Sequence, residues 1–213
     1  MFGNPQQLGA WFEIGLIVGA FISGALIAWF PKLQKKKKHN KIGIRFETLH
    51  TRIHEELTQL RVKCDCARTW CASFHNGESF FDGTPIRKWS ITHESVHLGV
   101  RNSVEETQSI MASRFPELIQ VLQEQQGQTK LYETAQLSDT NSLKAYMQSR
   151  NVTGFMLTPI MDTKGITLFG FICCEWSSLT HLDKIDAERE WQIIESLKES
   201  RNVIQGLQIN GKE

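Results

Sequence analysis

The chain has 213 residues, 40% of them hydrophobic and 22% charged, and its formal charge of +1 hides a division. Residues 1–41 carry six lysines against one glutamate, while the remainder carries 18 basic and 22 acidic side chains. The mildly acidic remainder speaks against a nucleic-acid partner, which needs a basic face on the domain itself, and five cysteines, an odd number, do not make a disulfide framework.

The first ten residues contain no Lys or Arg, and an apolar run follows from Trp11 to Phe30; between Ile14 and Phe30 nothing is charged and only Ser23 is polar. A membrane-spanning helix needs about 20 mostly apolar residues, so residues 11–30 predict one. Trp11 and Trp29 stand at its ends, where indole rings favour the headgroup layer. The basic linker 31–41 follows, with Lys35, Lys36, Lys37 and Lys38 in a row. Positive residues stay on the cytoplasmic side, which predicts a single-pass protein of an inner or plasma membrane with its C-terminal domain in the cytoplasm. Membrane lipids are then a partner, through contact of the lysines with anionic headgroups. A cleavable signal peptide carries its positive charge before the apolar core, the reverse of this order. Gly15, Gly19 and Gly24 give the helix small-residue faces on which two copies can approach closely, and so predict a homodimer.

Residues 42–63 place Phe46, Leu49, Ile53, Leu57 and Leu60 at spacings of three and four, a helical stripe. Arg68 to Phe74 is rich in strand formers, His75-Asn76-Gly77 reads as a turn between paired strands, and Asp82-Gly83 opens a second turn. Ile86 to Val96 predicts a strand, and residues 103–126 predict helix in two pieces, broken before Pro116. A short strand over 130–135 and a short helix over 141–148, capped by Asp139 or Asn141, come next. Two apolar strands, 152–160 and 167–176, flank a turn at Asp162 to Gly165. A helix over 183–207 turns Trp191, Ile194, Leu197 and Ile204 inward, and residues 208–213 form a frayed tail. Cys64, Cys66, Cys71, Cys173 and Cys174 lack the spacing of a structural zinc site and read as small core residues.

Three segments carry a resemblance: Ser142 to Val152, Phe155-Met-Leu-Thr-Pro159-Ile, and Gly165-x4-Gly170-Phe-Ile. Their spacing resembles a GAF domain, the small-molecule-sensing module of signalling proteins, with Pro159 and Gly170 in the matching places. The likeness covers residues 42–207, its first half by element order alone. It implies an α+β fold in which the first and last helices pack on one face of an antiparallel sheet and commonly pair with a second copy. A ligand pocket on the other face is implied, lined here by His75, Asn76, Phe80, Phe81, Trp89, His93 and Glu94. The cyclic-nucleotide pattern of some members is absent, no cysteine stands in a bilin-attachment context, and the resemblance names no cofactor.

His93-Glu94-Ser-Val-His97 matches H-E-x-x-H, which on a helix puts two histidines on one Zn²⁺ with the glutamate as general base. Residues 86–92 read as a strand, where His93 and His97 would stand about 13 Å apart and share no metal. A short spanning helix with small-residue faces, and Gly170-x5-Trp176 before a final helix, also looks like some tailed-phage holins, a lysis function. Those proteins carry the domain outside the cytoplasm, against the lysine orientation. The reading the sequence favours is a membrane-tethered, non-enzymatic GAF-like module that senses a ligand or binds a partner and assigns no catalytic residue. A holin and a membrane-anchored zinc hydrolase using His93, Glu94 and His97 stand behind it.

Overall fold

The computed structural model describes residues 47–79, 83, 85–124, 129–162, 165–178, 180 and 182–210. The predicted spanning helix 11–30 and linker 31–41 lie outside the described residues, and with them Trp11, Trp29, Gly15, Gly19, Gly24 and the four consecutive lysines. Among the described residues no helix is long and apolar enough to cross a membrane. Residues 1–48 and 49–213 form separate units, and the second holds the folded domain.

The apolar stripe predicted for the first helix is the one used. Helix α1 (47–64) buries Ile53, Leu57 and Leu60, and ends at Asp65, whose φ of 49° breaks the helical path. After it come β1 (Arg68–Ser79), β2 (Pro85–Val96), β3 (Ile110–Met111), α2 (Pro116–Glu124), β4 (Leu131–Glu133), α3 (Ser142–Ser149), β5 (Val152–Met161), β6 (Leu168–Ser177) and α4 (Ala187–Asn210). The strands form one sheet in the order β3-β2-β1-β6-β5-β4, every pair antiparallel. The architecture is α+β.

Strand alternation gives the sheet two buried faces. On one, Ile53, Leu57 and Leu60 of α1 meet Ile193, Leu197 and Ile204 of α4 over Cys71, Met156, Ile172 and Cys174. Ser200 of α4 donates to Glu56 Oε1 of α1 at 2.7 Å, and Thr69 Oγ1 of β1 donates to the Leu57 carbonyl at 2.7 Å, so helix pair and sheet are cross-linked. On the other face, Leu118 and Leu122 of α2 and Leu143 and Met147 of α3 cover Trp70, Trp89, Phe155 and Phe171. All five cysteines are free thiols and buried, as core residues should be. Gly170 has a steric cause: a Cβ there would lie 2.1 Å from the Ala72 carbonyl oxygen across the β1–β6 pair. The Asn141 side chain caps α3, accepting from the Leu143 and Lys144 amides.

Four expectations change. His75-Asn76-Gly77 is not a turn; β1 runs on to Ser79, and the ladder slips between Asn76 and Ser79. Gly77 marks that irregularity, since a Cβ there would meet Lys88 Cε at 2.8 Å. Residues 104–109 are turns and bends rather than helix: after the single turn closed by the Thr107 amide on the Ser103 carbonyl, the Thr107 carbonyl accepts from the Ile91 amide of β2 and Ser109 takes a φ of 54°. Trp191 is 63% exposed, for the inner stripe of α4 is 193, 197, 200 and 204 and Trp191 stands off it. Residues 208–210 continue α4 instead of fraying.

Candidate functional site

Glu175 sits near the end of β6, between Cys174 and Trp176, and is 1% exposed. A buried carboxylate survives only when charge and hydrogen bonds compensate it. Its Oε1 accepts from Trp70 Nε1 at 2.6 Å, and its Oε2 accepts from Arg68 Nη1 at 2.7 Å and from Arg150 Nη2 at 3.3 Å. Arg68, the first residue of β1, also places Nε 2.8 Å from Glu94 Oε1, and its Nη2 donates to the Arg101 carbonyl at 2.6 Å. Glu94 of β2 is completed by the Ser103 amide at 2.8 Å, the Ser103 hydroxyl at 2.6 Å and the Val104 amide at 3.2 Å. Two guanidinium groups and two carboxylates thus neutralise one another at one end of the central strands.

Arg150, just past the end of α3, closes the network. Its Nη1 donates to the Tyr146 hydroxyl at 2.8 Å, and its guanidinium lies over the rings of Trp70 and Tyr146 at 5.8 and 5.1 Å. Burial is the largest influence and disfavours the Arg150 charge, but Glu175, Tyr146, Cys173 and Glu94 together outweigh it and hold the pKa above its ordinary value. Burial likewise raises the Tyr146 phenol, against the pull of Arg150, so the hydroxyl stays protonated at neutral pH.

A cavity of about 750 Å³ opens beside this network. The loop 99–103 forms one wall, the segment 148–153 from α3 into β5 the other, and Ser177 and Ser178 the end; Arg68, Arg101 and Arg150 are among the lining residues. Above the sheet centre, by contrast, the space is filled. Trp89 is 1% exposed, stacked on Trp70 with centroids 6.0 Å apart and edge-on to Phe115, Tyr146 and Phe171.

Of the seven residues predicted to line one pocket, the five described ones are not brought together. Trp89 is core, and Glu94 belongs to the ion network. His93 points to the opposite face, its Nε2 2.6 Å from His50 Nδ1 on α1 and the two rings stacked. His75 is exposed with Nε2 2.9 Å from Ser90 Oγ, Asn76 is exposed, and Phe80 and Phe81 lie outside the described residues. H-E-x-x-H lies on β2 and just beyond it: alternation turns Glu94 away from His93, and His97 is exposed with Nδ1 2.9 Å from the Leu98 carbonyl. Among the described residues no group of three His, Cys, Asp or Glu can hold a metal ion. The zinc-hydrolase reading loses its geometry.

No family model matches the sequence, and no curated protein matches it. Solved structures do. The blue-light-absorbing form of the PixJ GAF domain of Thermosynechococcus elongatus is 16% identical, covering 79% of this chain and 91% of that one with a TM-score of 0.53. The phycoerythrobilin-bound GAF domain of a cyanobacterial phytochrome is 14% identical over 82% of this chain and 95% of that one, TM-score 0.56. Its phycocyanobilin-bound counterpart is 14% identical over 80% and 93%, TM-score 0.54. The chain has the GAF fold.

Within that GAF fold, the sequence carries the helix pair and the hairpin at Gly165, gives Gly170 only as a matching place of the resemblance, and leaves Arg68, Arg150 and Glu175 unmarked. One signal was present: Glu175 is the lone charge in the apolar run Phe169 to Trp176. A charge in a strand buried on both faces requires a buried partner.

Proposed function

We propose that this chain is a membrane-tethered, non-enzymatic regulatory module of GAF fold that binds a small polar ligand in the cavity beside Arg68 and Arg150. One observation carries the reading. The loop that walls the cavity is bonded through the Arg101 carbonyl and the Ser103 amide to Arg68 and Glu94, and only residues 65–67 separate Arg68 from the end of α1. Ala67 itself donates its amide to the Glu175 carbonyl at 2.8 Å. A ligand that moves the loop shifts the partners of Arg68, and with them the root of the helix that leads back in sequence to the basic linker. The coupling energy between two such sites is typically a few kcal/mol.

The α1–α4 pair supports a homodimer in this scheme. Trp191 and Val203 of α4 are 63% and 43% exposed and Val62 of α1 is 65% exposed, an outward apolar set that a second copy would cover.

A bilin of the kind bound by two of the structural neighbours finds no space over the sheet centre. The face over the sheet centre is packed with Trp70, Trp89, Phe115, Tyr146 and Phe171, and all five thiols are buried, Cys71 being pushed up to about 12 by burial. No thiolate is presented for attachment.

The test is a thermal-shift screen of the full chain in nanodiscs against small polar metabolites, with Ser178→Trp filling the cavity mouth. Stabilisation by a compound in the wild-type chain and not in the variant is the expected result. Hits that survive Ser178→Trp would move the ligand elsewhere, and an absence of hits would leave partner binding through the α1–α4 face as the better account.

A further inference from the structure

The side chains along the cavity are unequal in charge. Arg68, Arg101 and Arg150 line it, and Glu106 is the one carboxylate among its lining residues. Glu94 and Glu175 stand behind the arginines with side chains 0% and 1% exposed, and their oxygens are taken up by the donors already described. A cation entering here would meet guanidinium groups first.

Two donors have capacity to spare. The Arg150 side chain is only 10% exposed, yet its Nε has no hydrogen-bond acceptor among the described residues. A buried donor left without an acceptor is costly, and such exceptions ask for an explanation. Among the described residues Arg101 has its guanidinium paired with Glu106, and both side chains are exposed, 80% and 58%. Exposed pairs of this sort are weak because water screens them, so Glu106 is readily exchanged for a better acceptor. Guanidinium forks match planar and tetrahedral oxyanions alike.

We propose that the cavity is an oxyanion site, taking the carboxylate or phosphate group of a small metabolite that accepts from the Arg150 Nε–H and displaces Glu106 from Arg101. The proposal rests on the cavity being the ligand site, and it adds the chemical class. Arg101 belongs to the loop whose carbonyl is held by Arg68, so capture of the anion by Arg101 bears directly on that contact.

The experiment titrates the full chain in nanodiscs with inorganic phosphate, with succinate, and with glycerol as a neutral probe, at constant ionic strength, following intrinsic tryptophan fluorescence. Phosphate or succinate should bind saturably, and Arg101→Gln, a surface change that leaves the buried network whole, should weaken that binding about tenfold, the loss of one charge-assisted hydrogen bond. Arg150→Lys, which keeps the charge and removes the fork, should weaken it further. Tighter binding of phosphate or of succinate identifies the ligand as a phosphate ester or as a carboxylate. Saturable glycerol binding that Ser178→Trp abolishes, with no response to either anion, would overturn the oxyanion class and keep the cavity as the ligand site. Anion binding indifferent to both arginine variants would overturn the site as well.

Discussion

His93 gives the sharpest test of the packing between α1 and the sheet. Its ring lies against His50, Nε2 to Nδ1 at 2.6 Å, and its own Nδ1 is 3.0 Å from Thr92 Oγ1. One proton can be shared between the two imidazoles; a second puts two N–H groups face to face. Burial, then the charge on His50, then that on His54, lowers the His93 pKa from 6.5 to about 4. The unfolded chain therefore binds a proton between those two values that the folded chain refuses. Stability from this residue is whole above about pH 6.5 and is lost progressively as the pH falls towards 4. At 1.36 kcal/mol per pH unit the limit is about 3.4 kcal/mol, and because part of the ring meets solvent, screening brings it to roughly 1.5 kcal/mol. Urea unfolding of the full chain, followed by tryptophan fluorescence at pH 7.5, 6.5, 5.5 and 4.5, measures it against His93→Asn. Carboxylates titrate equally in both chains, so the difference isolates His93. The wild type should lose roughly 1.5 kcal/mol more than the variant across that range; parallel curves would refute the account of the histidine pair.

Further outcomes follow from the same contacts. Glu175→Gln leaves Arg68 and Arg150 short of one buried negative charge and should cost about 3–5 kcal/mol in urea unfolding, the range for breaking a buried ion pair; a loss below about 1 kcal/mol would mean that water reaches the network. Asn141→Ala removes the cap of α3 and should cost about 1 kcal/mol, seen as a lower urea midpoint with an unchanged slope. The buried thiols, with Cys173 and Cys174 raised well above the ordinary thiol range by burial, should resist a thiol reagent at pH 8 until the chain unfolds; fast labelling of the native chain would contradict the packed core. Trp191→Ser should leave folding stability within about 0.5 kcal/mol while shifting the chain towards monomer in analytical ultracentrifugation in detergent.

Much of this fold was written in local patterns. The stripe Ile53, Leu57, Leu60 and the apolar strands β5 and β6 could be read directly, and the cap of α3 could be narrowed to Asp139 or Asn141, of which Asn141 serves. Where the reading failed, a distant partner decided. Residues 103–109 have the composition of a helix start, and Glu94 accepts from the Ser103 and Val104 amides as a cap would, yet the Thr107 carbonyl is taken by the Ile91 amide of β2 and Ser109 turns the chain at a φ of 54°. His75-Asn76-Gly77 carries turn chemistry, but Gly77 is small because Lys88 and the Ile86 carbonyl crowd it across the β1–β2 pair. Trp191 shares a helical spacing with Ile194, Leu197 and Ile204, but the stripe that packs is Ile193, Leu197, Ser200 and Ile204, in which Ser200 donates to Glu56 of α1. The candidate site was least legible, since Arg68, Glu94, Arg150 and Glu175 are up to 107 residues apart in the chain and meet only when β1, β2 and β6 pair. The lone charge of Glu175 told of a partner without naming it.

The measurement that bears most directly on the central claim is hydrogen–deuterium exchange of the full chain in nanodiscs, with and without a ligand from the screen. Slower exchange is predicted at 99–103 and 149–153 together with a change in 47–67, the segment joined to Arg68. Protection confined to the cavity walls, with 47–67 unchanged, would contradict the coupling to α1, and protection elsewhere with both walls unchanged would contradict the cavity as the sensing site.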